Sequence, residues 1–288
     1  MVLTILAVSS LASSTPPSNS TSLRPLVSSN PSTPMASPAQ IVPILPSTSH
    51  LDRLLWMCHT SPPRNLPKAY YFCVDSVPHT QDLVYEPFCN DFGPLNLAMV
   101  VRYCRELQRL LANPDFSTYR IYHYTSTDPV KRVNAAFLIC AYEVIVRGKT
   151  GMEAWGPFLH LEPFPDYRDA SFGGCSYKCT LLHCLRGLEI GIKLGWLDYE
   201  RFNLEEYEKL EKIENGDMNW IIPGKMLAFS CPSVSAVDES GLRCFTPEDY
   251  GPEFKRLGVS SVVRLNKTTY ESTVSSHTAV HSHGLQAL

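Results

Sequence analysis

The stretch Arg120–Ile145, RIYHYTSTDPVKRVNAAFLICAYEVI, decides the fold. A short β-like run leads to a histidine, a polar loop, basic residues and a strongly apolar helix. That is the outline of a phosphate-holding loop, because the N–H groups and dipole of a helix N-terminus favour an anion. A cysteine-dependent phosphatase loop demands more: a strand, then His-Cys-x5-Arg, then the helix N-terminus. Loop amides lower the cysteine pKa, the thiolate attacks phosphorus, and arginine clamps the oxygens. Here His123 occupies the histidine place, but Tyr124 stands where the cysteine would be. A phenol with a pKa of roughly 10 is a poor nucleophile at neutral pH. Val130 falls at the arginine position, with Lys131 and Arg132 one and two places late. The stretch therefore reads as a phosphate loop that has lost its chemistry.

Working outward, the flanking sequence alternates strands and helices, the pattern of an α/β fold. AYYFCV and DLVYEPF are β-like, and RIYHYT is the next strand. In DFGPLNLAMVVRYCRELQRLL, residues Leu97, Val100, Cys104, Leu107 and Leu111 recur on one helical face. Gly93-Pro94 opens that helix, with proline at a tolerated first-turn position. Val130 to Val146 forms a second helix, ended by Gly148. CSYKCTLLHCLRGLEIGIKLG forms a third, with Leu181, Leu185, Leu188 and Ile192 on one face and Gly195 as its stop. Asn203 and Glu206 have the form of a capping box before LEEYEKLEKIE. NWIIPGKMLAF reads as two short strands around Pro223-Gly224. Thr246-Pro247-Glu248-Asp249 then caps a helix ending at Gly258, and VSSVVRL is a strand.

Composition narrows the function classes. The chain has 288 residues and 44% apolar content, enough to bury a core, and a formal net charge of -3 that points to neither nucleic acid nor an anionic membrane surface. The ten cysteines are scattered through apolar segments, as reduced buried thiols are. No run of 18 apolar residues occurs, so no membrane span is expected. MVLTILAVSSLASS resembles a short signal-peptide core but lacks a positively charged leading region.

Residues 1–50 contain 18 Ser or Thr, 8 Pro and one charged side chain, Arg24, and are expected to form a disordered tail. The tail's Thr15-Pro16, Thr33-Pro34 and Ser37-Pro38, with Ser61-Pro62 just beyond, are minimal proline-directed phosphorylation sites, as such a composition also yields by chance.

YFCVD, LVYEPFCNDFGPLNLAMVVRYC, HYTSTDPVKRVNAAFLICAYEVI, PDYRDASFGGC, EYEKLEKIENGDMNWIIPGKMLAFS and FTPEDYGPEFKRLGVSSVVRLNK closely resemble the cell division cycle 14 dual-specificity phosphatases. The resemblance runs from about Leu51 to Tyr270. It implies tandem phosphatase-like domains of α/β class, the first non-catalytic and the second catalytic and here incomplete. The expected divisions are a tail at 1–50, a first domain at 51–200, an acidic linker helix at 201–217 and the beginning of a catalytic domain at 218–288. It further implies hydrolysis through a cysteinyl-phosphate, without cofactor or metal, of phosphoserine or phosphotyrosine proteins carrying Ser-Pro sites near basic residues. The implied setting is cell-cycle control in nucleus, nucleolus and cytoplasm. The family's general-acid Asp and His-Cys-x5-Arg loop lie downstream of the VVRLNK strand, and beyond Tyr270 the sequence departs from the family's pattern. The expectation is a truncated chain that does not hydrolyse phosphate by itself, or a catalytically dead binding module.

By their place before ENG, Glu208 and Glu211 match the two family glutamates that face the substrate's basic residue. Independently, Glu205, Glu208 and Glu211 share one helical face, a ridge able to attract Lys or Arg. The plainer alternative is a solvated face with Glu205–Lys209 and Glu208–Lys212 pairs. Cys184 alone follows a histidine, His183, but Ile190 stands at its arginine position. Cys175, Cys179, His183 and Cys184 are close in sequence, yet their spacing is not that of a zinc knuckle. His277, His281 and His283 read as incidental residues of a divergent end.

Overall fold

The computed structural model describes residues 3–6, 39–44, 53–60, 66–74, 83–87, 90–161, 163–170, 174–175, 177–238, 241, 243–264 and 281–284. The four Ser/Thr-Pro dipeptides and His277 lie outside the described residues. In chain order the strands are β1 (Leu3–Leu6), β2 (Gln40–Pro43), β3 (Leu54–Cys58), β4 (Ala69–Cys73), β5 (Arg120–Thr125), β6 (Met218–Ile222), β7 (Met226–Phe229), β8 (Ser261–Arg264) and β9 (His281–Gly284). The α-helices are α1 (Leu97–Ala112), α2 (Pro129–Ile145), α3 (Gly151–Trp155), α4 (Leu181–Lys193), α5 (Leu204–Glu211) and α6 (Pro247–Arg256).

The first sheet has the order β2-β3-β5-β4. β3 and β4 flank β5 in parallel, and β2 closes the edge antiparallel to β3. β3 is buried on both faces, which is why LLWMC is a continuous apolar run rather than an alternation. Trp56 of β3 is fully buried and meets Phe158 edge-on at 5.3 Å. α2 is buried at every position from Arg132 to Val144 and packs against α1, α3, α4 and β5. A helix apolar on all sides is one that the rest of the fold encloses. α3 comes close to α4 at Gly151, where an added Cβ would lie 3.0 Å from the Leu185 backbone.

The second sheet has the order β6-β7-β1-β8-β9, with β6 and β7 as an antiparallel hairpin and β1 parallel to both β7 and β8. A separate core of Leu210, Met218, Leu227, Phe229, Tyr250, Phe254, Val259 and Val262 lies beneath it. The Tyr250 hydroxyl donates to the Gly216 carbonyl at 2.7 Å. Gly216 has φ +101°, and a Cβ there would meet Phe245 and Tyr250 at 3.0 Å, so both conformation and space require glycine.

Several expectations change. Two stretches within residues 1–50, expected to be tail, carry strands: β1 and β2. For β2 the cause is visible, since Val42 and Ile44 bury themselves in the first core. Within residues 218–288, expected to begin an incomplete second domain, β6, β7 and β8 share a sheet whose middle strand is β1, from the far end of the chain. β9, within the end expected to be divergent, is a strand through its parallel ladder with β8. DLVYEPF is not a strand in its described residues 83–87, although Leu83 is buried. α1 begins at Asn96, whose side chain caps it, rather than at Gly93-Pro94. Its buried face uses Tyr103 and Leu110 in place of Leu97 and Leu111. The third expected helix starts only at Leu181, because Thr180 and His183 form a capping box there.

Candidate functional site

The loop after β5 lies at the carboxyl end of parallel strands, the place where α/β folds bind ligands. The groups at the motif's histidine and nucleophile places, and Arg132, are engaged internally. His123 is fully buried, with Nδ1 2.6 Å from the Tyr103 hydroxyl. Burial drives its pKa from 6.5 down to about 3. Tyr124 is also buried, and its hydroxyl donates to the His59 carbonyl at 3.2 Å. The N-terminus of α2, where phosphate would sit, is capped by the Asp128 carboxylate, which accepts from Lys131 N at 2.9 Å. A carboxylate at that spot repels a second anion. Arg132 turns away into the core: its guanidinium carbon lies 4.0 Å from the Phe164 ring centroid, and it donates to Gln40 Oε1 at 3.1 Å. Val130, at the expected arginine place, is exposed.

Cys58 and Arg64 also stand at Cys-x5-Arg spacing, a pattern the sequence reading passed over. Cys58 is buried and donates to the Ser126 carbonyl at 3.2 Å. It ends β3, the next element among the described residues is β4, and Arg64 lies outside the described residues.

On α5 two of the three glutamates of the expected acidic ridge make contacts to α1. Asn203 caps the helix, accepting from Glu206 N. Glu208 pairs with Arg102 of α1 rather than with Lys212. Glu211 accepts two bonds from Asn96 Nδ2, at 2.8 and 2.9 Å, while Asn96 Oδ1 accepts from Met99 N. Glu205 is exposed and joins neither contact. The structure adds Asp217, which the sequence reading missed because it lies beyond the helix: its charge is felt by Glu211. Burial raises the pKa of Glu211, opposed by the Asn96 bond and reinforced by Asp217 and Glu208. Burial likewise raises Asp217, opposed by a Ser230 hydrogen bond. The result is three carboxylates gathered where α5 meets the start of α1, against one guanidinium.

On another side of α5 opens a cleft of about 720 Å³, lined by Leu188, Trp196, Leu197, Tyr207, Met218 and Trp220 among others. The cysteine cluster does not build a metal site: His183 Nδ1 accepts from Thr180 N, and among the described residues no group of three or more His, Cys, Asp or Glu could hold an ion. Also among the described residues, no helix is long and apolar enough to cross a membrane.

The family model "Dual specificity protein phosphatase, N-terminal half" matches residues 49–191. Dual specificity protein phosphatase CDC14A of Mus musculus is 48% identical over 223 residues, covering 77% of this chain and 36% of that protein. The Homo sapiens CDC14A is 47% identical over 223 residues, covering 77% and 37%. Tyrosine-protein phosphatase cdc-14 of Caenorhabditis elegans is 38% identical over 196 residues, covering 66% and 28%. The chain thus spans little more than a third of the length of the two CDC14A relatives and 28% of the nematode one.

Proposed function

Since this chain belongs to the CDC14 family of dual-specificity protein phosphatases, we propose that its described residues form the part of such an enzyme that selects phosphoproteins. On this reading the first sheet and its helices are a non-catalytic phosphatase-like domain. α5 joins it to the residues that open a second, catalytic domain. Substrates would carry phosphoserine followed by proline with a basic residue nearby, in the cell-cycle setting, nuclear, nucleolar and cytoplasmic, that the family resemblance implies.

The observation that supports the reading is the anchoring of Glu208 and Glu211 to α1 through Arg102 and Asn96. Carboxylates held by neighbours present their charge without first losing rotamer freedom, so a basic peptide side chain meets a preorganised site. Arg102 neutralises part of the field, and Asp217 restores the negative excess. The engaged β5–α2 loop supports binding without hydrolysis by these residues.

The test compares two peptides, phosphoserine-proline with a nearby lysine and the same peptide with alanine there, by fluorescence anisotropy. Glu208→Gln with Glu211→Gln keeps acceptors for Arg102 and Asn96 while removing two charges. The double variant is expected to weaken the lysine peptide about tenfold or more, a loss of about 1.4 kcal/mol, and to leave the alanine peptide unchanged. Equal effects on both peptides, or none, would overturn the assignment. The purified chain is expected to give no steady, vanadate-sensitive hydrolysis of p-nitrophenyl phosphate.

A further inference from the structure

α4 begins with a standard device carrying unusual side chains. Thr180 is its N-cap and His183 the third helical residue, and the two bond reciprocally as a capping box. In such boxes the residue before the cap and the fourth helical residue are usually apolar and pack together, fixing the angle at which the chain enters the helix. Here those two positions are Cys179 and Cys184, and their Sγ atoms lie 3.7 Å apart.

The pair is held from both sides. The Cys179 carbonyl accepts from Tyr167 N at 2.7 Å, in an isolated bridge that fixes the approach to the helix. Cys184 lies on the helix itself, beside Gly187 and Leu188 at the wall of the cleft. Both thiols are half-buried rather than sealed, unlike Cys58, Cys104 and Cys140. Cys175, the next nearest in sequence, turns its thiol to the Tyr177 carbonyl at 2.9 Å.

We propose that Cys179 and Cys184 are a redox modification site, forming a disulfide that replaces the packing contact at the head of α4 with a covalent one. With hydrogen peroxide as oxidant the chemistry balances. One thiol takes an oxygen from the peroxide, giving a sulfenic acid and water. The second sulfur then displaces that hydroxyl, forming the S–S bond, and its proton leaves with the hydroxyl as a second water. Burial, then the neighbouring Cys179, pushes the Cys184 thiol up to about 12. Either thiol can meet the oxidant, and the other, 3.7 Å away, resolves it. The capping box supplies the proximity, since it sets the two positions side by side before any oxidant arrives.

The sequence makes the test clean. Lys178 and Arg186 place both cysteines in one tryptic peptide, CTLLHCLR, and Cys175 in another. The folded full chain is treated with hydrogen peroxide, alkylated under denaturing conditions and digested without reduction. The expected product is the Cys179–Arg186 peptide, two hydrogens lighter than the dithiol, carrying no alkyl group and restored by dithiothreitol. Thermal unfolding of the oxidised protein should shift upward, and Cys179→Val, which keeps an apolar contact with Cys184, should show no such shift on peroxide treatment. A crosslink between the Cys175 and Cys179 peptides would overturn the proposal. So would two alkylated thiols in CTLLHCLR after Cys175 has oxidised, or a bridged protein that melts lower. The peptide map of the unsubstituted chain decides the matter even if the variant fails to fold.

Discussion

Trp56→Ala is expected to cost about 3–5 kcal/mol, a large share of the roughly 5–15 kcal/mol that holds a domain folded. Trp56 is fully buried in β3, meets Phe158 and Phe164 edge-on, and lies beneath the Arg132 guanidinium. Removing the indole opens a cavity between the sheet and the segment carrying Phe158. It also takes away part of the aromatic seat on which Arg132 rests. The loop after β5 should loosen along with the core. Trp56→Phe is the informative contrast. It keeps a ring in the cluster and removes an indole N–H that has no partner among the described residues, so its cost should stay below about 1.5 kcal/mol. Urea unfolding followed by circular dichroism distinguishes the two. Similar midpoints for both variants would mean that the cavity is not what matters.

The second large effect concerns acid. His123, at the place of the motif histidine, is held at about 3 by burial, against an ordinary 6.5. In the unfolded chain its imidazole takes up a proton as pH falls below about 6.5, while in the folded protein it does not. Stability is therefore full above that pH and drains away as pH falls toward 3, at a slope approaching ~1.4 kcal/mol per pH unit. Glu211 and Asp217, whose pKa values burial raises, act in the opposite sense because the folded state binds their protons more readily. The comparison that isolates the histidine is with His123→Gln, which stays neutral and still offers Tyr103 a polar partner. Urea midpoints at pH 7, 5 and 4 should fall more steeply for the unsubstituted chain than for the variant. Parallel slopes would show that the buried imidazole does not govern acid unfolding.

The parts of this fold that a reader of the sequence can see are those specified locally. Asp128-Pro129, Asn203 with Glu206, and Thr246 with Asp249 each begin a helix, because a capping side chain and its N–H partner lie three residues apart. The uniform apolar character of Phe137 to Ala141 marked α2 as a core helix. What stayed hidden needs distant partners. β2 and β1 are strands because of the ladders they join, and nothing in the four residues of β1 announces a neighbour more than two hundred residues along the chain. DLVYEPF shows the reverse error, a run with strand composition that finds no strand to pair with in its described part. At the acidic ridge the helix and its charges were legible, but the partners of Glu208 and Glu211 lie about a hundred residues upstream. The same distance hid Asp217, whose relevance comes from a turn rather than from helical spacing.

Asn96 has a consequence for which substitutions this molecule can tolerate. Its carbonyl oxygen closes the first turn of α1, and its amide nitrogen holds both oxygens of Glu211. One planar group serves two clients of opposite demand. Aspartate, the same in shape and an equally good cap, would set a carboxylate against a carboxylate, whereas serine would cap the helix and leave Glu211 unattended. The position is thus a logical AND written in a single side chain: only an amide satisfies both conditions. Any change that rotates α5 away must either drag the head of α1 with it or give up the bond.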